Sequence, residues 1–552
     1  MLENLDLNDI QDLEQARRAI IQVLNLVEEL ALENRKLREE VQCLRDENNR
    51  LKGEQGKPKI KSSKKPQASQ TTNHSSEQER RKPKERRKRK KVDRIQINRE
   101  EKLQVDQGQL PADAEFKGYE PVVVQDIRIQ TDNIRFLKEK FYSPGEKRSY
   151  LAPLPPGYSG EFGPGVKALT LLLYHAVNTS ESKIVEFFEH MGVQISPGQV
   201  SNFLIKDQDH FHAEKDAVYE AGLRSSPWQH IDDTGTRVNG VNEHCHVMCN
   251  PLYTAYFTTE KKNRLTVLDV LTNFHPRAYL LNDETYTWLD QIGTSARVIE
   301  KLQKLPQDQT LGEDQFISLL DEYQLALGPQ QRSRVLEAAA TAGYHTQQQF
   351  PVVKLFISDD APQFKRVTEE LALCWVHDAR HYKKLSPAVA YHRQLLESFM
   401  KRYWKLYDKL AAHGLDPPPE NAAQLETEFD NLFSTVTGYT GLDRRIVMTR
   451  DKKDALLMVL RHPEIPLHNN PAEIEIRRRV RKRDVSFGPR TEDGKRAWDT
   501  FTTLAATAKK LGVSFYQYIY DRVSAANRIP NLADLIAQRA KQMDLGASWG
   551  SA

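Results

Sequence analysis

Three short runs constrain this chain more than any other feature: "WQHIDD" (228–233), "EHCHVMCN" (243–250) and "YTAYFTT" (253–259). Each has the length of a strand and is set off by turn residues, "VNGVN" and then "NPL". They predict an antiparallel meander. "RLTVLDVLTNF" reads as a helix next. A long Gln-rich helical stretch, roughly 275–350, precedes a fourth strand in "PVVKLFISDD". A helix over "APQFKRVTEEL" and a fifth strand over "ALCWVH" are expected to follow. The order β-β-β-α-β-α-β predicts an α/β domain with one mixed sheet and helices on both faces.

That order is the order of a ribonuclease-H-like fold. Asp232 is expected to end the first strand and Asp359 the fourth. Those strands are neighbours at the centre of such a sheet, so their ends meet despite the distance along the chain. Two carboxylates there can bridge hard cations, Mg²⁺ with Mn²⁺ as a substitute. Two such ions about 4 Å apart can activate a nucleophile and stabilise a leaving oxygen. A third carboxylate is sought in "LHNNPAEIEIRRRVRKR" (467–483). Asn469 or Asn470 can cap a helix there, and Pro471 suits its first turn. Glu473 falls in that turn, and Glu475 lies about 200° further round the helix, so both cannot face the metals. Arg477 shares the Glu473 face, and Arg478, Arg479, Arg481, Lys482 and Arg483 make the helix basic. A metal carboxylate beside a basic helix suits a phosphodiester substrate. Taken singly, "DD" is usually a turn and "NNPAE" a capped helix start; their joint placement points to chemistry. Asp360 beside Asp359 leaves that assignment open. His377 and Arg380 are candidate helpers, at metal water or at phosphate.

The chain has 552 residues, 39% hydrophobic and 28% charged, enough for several domains. Four cysteines in this length argue against a disulfide framework. The acidic start "MLENLDLNDIQDLEQ" is no signal peptide, and no apolar run of about eighteen residues exists, so a cytoplasmic, nucleoid-associated protein is expected. Residues 13–51 repeat in heptads. Leu13, Ile20, Val27, Asn34, Val41 and Asn48 form one seam; Ala16, Val23, Leu30, Leu37, Leu44 and Leu51 form the other. β-branched residues or Asn at a and mostly Leu at d predict a parallel two-stranded coiled coil over 1–52, with Leu30, Asn34, Leu37 and Leu44 in the dimer seam. The alternative is an amphipathic helix packed on its own chain. Residues 53–100 read as a basic linker. Within it, Arg80–Arg94 carries +9 in fifteen residues, a candidate phosphate-binding arm. A small mixed β segment is expected over 101–160, from "YEPVVVQDIRIQ" and "RFLKEKFYS". A helix-turn-helix is expected over 161–225, with Ser196 as N-cap, Gly192 in the turn, and Ser196 and Gln199 at the DNA-facing helix start. Small helical bundles that touch no DNA share that pattern. The catalytic core is expected over 226–525, with helical insertions near 275–350 and 385–460, and a tail over 526–552. His244, Cys245, His246 and Cys249 alternate across a strand, so four zinc ligands do not converge.

Together these blocks resemble the large transposase of the insertion sequence 66 family, a DDE-type DNA transposase. "HIDDTGTRV" resembles the block at the first catalytic aspartate, "FISDDAP" that at the second, and "PLHNNPAEIEIR" that with the catalytic glutamate. "CWVHDARHYKKL" and "SFGPRTEDGKRAWDTFTTLAATAKKLGVSFYQYI" resemble two further family blocks, and the likeness covers most of 160–522. It implies Asp232, Asp359 and Glu473 as metal ligands. It also implies a reaction in which a freed 3′-hydroxyl at the element end attacks target DNA. Implied partners are double-stranded DNA, a second copy of the chain and small accessory proteins. Departures are Asp233 for the family's Glu, Asp360 for its Gly, His468 for its Asp and Ile474 for its Arg. The cysteine-rich zinc segment of many relatives is missing, since 104–165 holds no cysteine. A DNA-binding relative that cuts nothing, and a nuclease that only hydrolyses, remain alternatives.

Overall fold

The computed structural model describes residues 12–51, 95–111, 114–127, 129–158, 160–323, 327–415 and 421–550. The basic run Arg80–Arg94 and the rest of 53–94 lie outside the described residues.

The three opening runs form the meander. β1 (Trp228–Val238) pairs antiparallel with β2 (Val241–Cys249), and β2 with β3 (Thr254–Thr259). Asn239 and Gly240 turn between β1 and β2 at φ 48° and 79°, left-handed conformations that a two-residue hairpin requires and Asn-Gly adopts at low cost. β4 (Leu355–Ser358) pairs parallel with β1, and β5 (Glu370–Leu373) parallel with β4. The sheet order is β3-β2-β1-β4-β5. Period-two alternation sorts the side chains. Ile231, Met248, Phe257 and Phe356 enter one core, while Trp228, Leu355 and Ile357 enter another. Each such side chain contributes about 1.5–3 kcal/mol on burial. The result is a mixed α/β fold with helices on both faces.

Four helices carry the rest of the argument: α1 (Leu13–Leu51), α2 (Trp375–Lys383), α3 (Asn470–Ser486) and α4 (Glu492–Lys510). α4 lies along β3, the edge strand. The Asp499 carboxylate accepts from Thr258 N (2.7 Å), Thr503 Oγ1 from Tyr256 N (3.0 Å) and Thr507 Oγ1 from Thr254 N (3.2 Å). Residues at i, i+4 and i+8 of one helix thus satisfy alternate N–H groups of the strand. An edge that would otherwise expose unpaired donors is closed.

α1 forms as one 39-residue helix, and the structure shows part of the alternative reading. One face docks on the chain's own body. Asn25 donates to Gly438 O (2.8 Å) and accepts from Thr440 N (3.1 Å). Glu28, 3% exposed, accepts from Ala388 N (2.7 Å) and Val389 N (2.9 Å), the two residues just before the helix Ala390–His413. The seam residues Leu30, Leu37 and Leu44 point elsewhere and are exposed, and Asn34 donates to Leu30 O of its own helix.

Several local expectations fail. β1 does not end at Asp232 but continues to Val238, because β2 pairs with it throughout; only the parallel pairing with β4 stops, at His230. "APQFKRVTEEL" is not an α-helix. It makes a 3-10 turn, Pro362–Phe364, and then an open loop with Arg366 at φ 62°. Phe364 and Val367 are buried anchors, and Arg264 holds the Pro362 and Lys365 carbonyls, so tertiary contacts override helix propensity. "ALCWVH" is strand only as far as Leu373, and Trp375 already begins α2. "YEPVVVQDIRIQ" holds no strand among the described residues; Val122, Val124 and Ile127 stay exposed, since alternation without a neighbouring strand has no ladder to join. Pairing occurs instead between Lys140–Ser143 and Arg148–Leu151. The expected tail over 526–552 contains the helix Leu532–Met543, whose Leu532 and Ile536 are buried in the core. Trp228 Nε1 also donates to Leu545 O (2.6 Å).

The stretch 161–225 is helical: Pro164–Leu171, Glu181–His190, Pro197–Ile205 and Asp209–Arg224. Ser196 Oγ accepts from Gln199 N (3.2 Å), and Gly192 turns at φ 75°. Both insertions are largely helical, with Pro329–Thr346 the longest element of the first and Ala390–His413 of the second. No described helix is long and apolar enough to cross a membrane.

Candidate active site

The register of β1 and β4 builds the site. His230 pairs with Ile357, so Asp232 follows two residues later on β1, and Asp359 two residues later just past the end of its parallel neighbour β4. Alternation puts Asp232 on the side of Trp228 and away from Ile231. α3 packs on β1 and carries Glu473. Burial pushes the Asp232 carboxyl up to about 7, and the charge of Asp359 adds to the rise, with Glu473 contributing less. Among the described residues, Asp232 Oδ1 accepts its neighbour's amide, Asp233 N (2.8 Å). Asp359 Oδ1 accepts from Ala361 N (3.2 Å).

Asp233 turns to the opposite side, where Gln363 Nε2 and Lys262 Nζ meet its carboxylate. Asp360 is also occupied. Lys365 (2.6 Å) and Lys452 (2.5 Å) flank it. Burial alone would raise its carboxyl, but the two lysines outweigh that and hold it below the usual range. Asp359, not Asp360, shares the field of Asp232.

Glu473 is 7% exposed and ringed by donors. Arg380 Nη2 reaches both carboxylate oxygens (3.0 and 2.9 Å), Arg477 Nη2 lies at 3.2 Å and His377 Nε2 at 3.3 Å. Glu475 faces elsewhere, accepting from Tyr256 OH (2.6 Å) and pairing with Arg478 (3.1 Å), as the helical period requires. Among the described residues, no group of three or more His, Cys, Asp or Glu is arranged to hold a metal ion. The donor chemistry still suits a hard cation. Asp232 and Asp359 are oxygen donors whose mutual repulsion a divalent charge would relieve, and Glu473 would supply a third carboxylate.

Two positioning residues escaped the sequence reading. Asn469 was expected only as a possible helix cap. Its side chain makes no cap; buried completely, it donates to Ile231 O (2.8 Å), and its Oδ1 meets His230 Nδ1 (2.9 Å). Its amide also donates to Cys374 Sγ (3.2 Å). Asn469 thereby ties the start of α3 to β1, one residue from Asp232. Burial holds the His230 ring down to about 3, so it stays neutral and donates from Nδ1. The signal was present: His230 is two residues before Asp232 and shares its face.

The basic helix is less open than expected. Arg477 and Arg481 are exposed. Arg478 pairs with Glu475, and Arg483 donates to Gly235 O on β1. Lys482 is 3% exposed, donating to Tyr174 O beneath the helical module 161–225. It is therefore not a phosphate contact, because helical rotation turns it inward. Burial pushes its ammonium down to about 7, opposed by Glu181 and reinforced by Arg479. Between about pH 7 and 10 the unfolded chain then binds a proton at Lys482 that the folded chain does not, so stability rises with pH across that window. Lys482→Met should remove this slope, worth roughly 1.4 kcal/mol per pH unit, in unfolding measured across the range. The cluster His244, Cys245, His246 and Cys249 does not converge. Both cysteines are buried and free, and His246 Nε2 meets Thr259 Oγ1 (3.1 Å).

A cleft of about 350 Å³ opens beside Asp359, and its walls include His377, His381, Lys384 and Lys452.

Two comparisons place the chain among known proteins. The family model described as "Transposase IS66 family" matches residues 342–497, a span that holds Asp359, His377, Arg380 and Glu473 but begins after Asp232. The chain is also similar to the "Uncharacterized protein y4jO" of Sinorhizobium fredii (strain NBRC 101917 / NGR234), 34% identical over 324 residues, which are 58% of this chain and 100% of that protein. With the resemblance of its sequence blocks, the family-model match shows that the chain belongs to the insertion sequence 66 family of transposases.

Proposed function

We propose that this chain is a DDE-type transposase that cleaves insertion-sequence ends and joins them to target DNA, on a ribonuclease-H-like core spanning 226–525. One observation supports the reading: Asp232 and Asp359 each follow two residues after the paired residues His230 and Ile357, and the charges of Asp359 and Glu473 both raise the Asp232 carboxyl. Asp232, Asp359 and Glu473 would hold Mg²⁺, or Mn²⁺ in its place. The ion would supply Lewis-acid charge for phosphodiester cleavage and transfer. His230 and Asn469 hold β1 and α3 in register. Arg477 and Arg481 offer guanidiniums to a polyanionic strand. The helix-turn-helix over 161–225, with Ser196 and Gln199, and the basic arm bind the DNA duplex. The α1 seam joins two copies as a coiled coil, and small accessory proteins complete the assembly at the nucleoid.

The test uses the full-length protein with duplexes carrying the element's ends and a plasmid target, in Mg²⁺, Ca²⁺ or EDTA. Nicked ends and covalently joined products in Mg²⁺ alone are expected. Nicks without joined product would leave a hydrolytic nuclease, and retention without nicking a DNA-binding protein.

A further inference from the structure

We infer that Arg380 is a positioning residue that couples DNA to divalent-cation binding: it holds Glu473 when no strand is present and moves to a substrate phosphate when one enters, releasing the carboxylate. The inference rests on the proposed reading of Asp232, Asp359 and Glu473 as a cation site.

The first ground is saturation. A carboxylate has about four lone-pair sites, and Glu473 meets four contacts: two from Arg380, one from Arg477 and one from His377. A cation can bind Glu473 only by displacing one of them. Glu473 is buried, so it cannot be left without compensating charge.

The second ground is which contact can leave. The Arg380 side chain is 39% exposed and that of Arg477 45%, whereas the carboxylate between them is 8% exposed. Both guanidiniums therefore stand at the mouth, with edges open to a ligand. Arg477 sits at i+4 on the same helix as Glu473 and keeps that contact by local geometry. Arg380 comes from α2 across the mouth and has no such tie.

The third ground is a destination. His377 and His381 on α2, with Lys384 at its C-cap, fall at i, i+4 and i+7, one face, and line the cleft beside Asp359. The other acids of that cleft are already neutralised. Asp360 pairs with Lys365 and Lys452, and Asp378 pairs with Arg445 and accepts from Thr449 Oγ1 (2.9 Å). What remains beside Arg380 favours a phosphate backbone, which the planar guanidinium grips in a fork.

If Arg380 serves either Glu473 or phosphate, DNA and cation help each other by the same factor, because coupling of binding is reciprocal. Mn²⁺ affinity, read from the free-ion electron paramagnetic resonance signal, tests this with intact protein and a mixed-sequence DNA duplex. In the wild type the duplex should tighten Mn²⁺ by about tenfold or more. Arg380→Gln should bind Mn²⁺ tightly without DNA and gain little from adding it. Arg380→Lys should retain part of the coupling, and Glu473→Gln should lose the DNA-induced gain, which also subtracts Mn²⁺ held by the duplex alone. Thermal unfolding of each variant checks that it is folded. Equal wild-type affinity with and without DNA, or an Arg380→Gln affinity unchanged from wild type, overturns the inference. Its failure is distinguishable from failure of the underlying reading. If Mn²⁺ binding is lost in Asp232→Asn and Asp359→Asn yet ignores DNA and Arg380, only the coupling is wrong. If those two variants bind Mn²⁺ as the wild type does, the cation site itself is wrong.

Discussion

Asp232→Asn and Asp359→Asn are each expected to lower DNA cleavage by roughly three orders of magnitude or more, while gel-shift affinity for the same duplex changes little. The reason is their shared place. Both are oxygen donors, Asp232 on β1 and Asp359 just past the end of the parallel neighbour β4, and Asn keeps the shape but removes the charge that a divalent cation needs. Asp360→Asn is the discriminating control. Asp360 is committed to Lys365 and Lys452, so its loss should cost about tenfold or less in cleavage rate. End-labelled substrate on a denaturing gel reads all three. Full cleavage by Asp359→Asn together with a dead Asp360→Asn would reverse the assignment.

The second large effect concerns stability. Arg479 is 1% exposed, donates to Asp499 Oδ1 (2.8 Å) and Thr258 Oγ1 (2.6 Å), and lies over the Trp498 ring at 4.0 Å. Asp499 in turn accepts from Thr258 N on the β3 edge. Removing one member leaves the other as an unpaired buried charge, at a cost of about 3–5 kcal/mol. Arg479→Met and Asp499→Ala should both unfold at markedly lower urea. Asp499→Ala should in addition speed hydrogen exchange at Thr258 N, since that donor loses its acceptor. Thr503→Val, which bares one neutral donor at Tyr256 N, should cost only about 1–3 kcal/mol. Equal effects from all three variants would argue against a charge-centred edge closure.

Much of the site was readable from spacing. Two adjacent aspartates on a strand must diverge, and they do: Asp232 faces α3 while Asp233 meets Gln363 and Lys262. Glu473 and Glu475, two apart on a helix, must diverge as well, and Glu475 is taken by Tyr256. The Asn-Gly pair announced the β1–β2 hairpin, and the heptads announced a long helix. These features depend on backbone periods and turn conformations set within a few residues.

Other features had no local signature. Arg380 is 93 positions from Glu473, and nothing near either residue predicts that they meet. Lys482 reads like its basic neighbours but lies under Tyr174. "ALCWVH" has strand composition throughout, yet its second half is wound into α2, with Trp375 N donating to Leu467 O (3.0 Å). The closing segment reads as a tail, yet Leu532 and Ile536 complete a core. Strand alternation, helical rotation and the hairpin could be inferred from order along the chain because their interactions are short-range. The contacts of Arg380 and His377 with Glu473, the closed β3 edge and the burial of Lys482 came from packing between segments far apart in sequence, where the surface that a residue meets depends on every other element already in place.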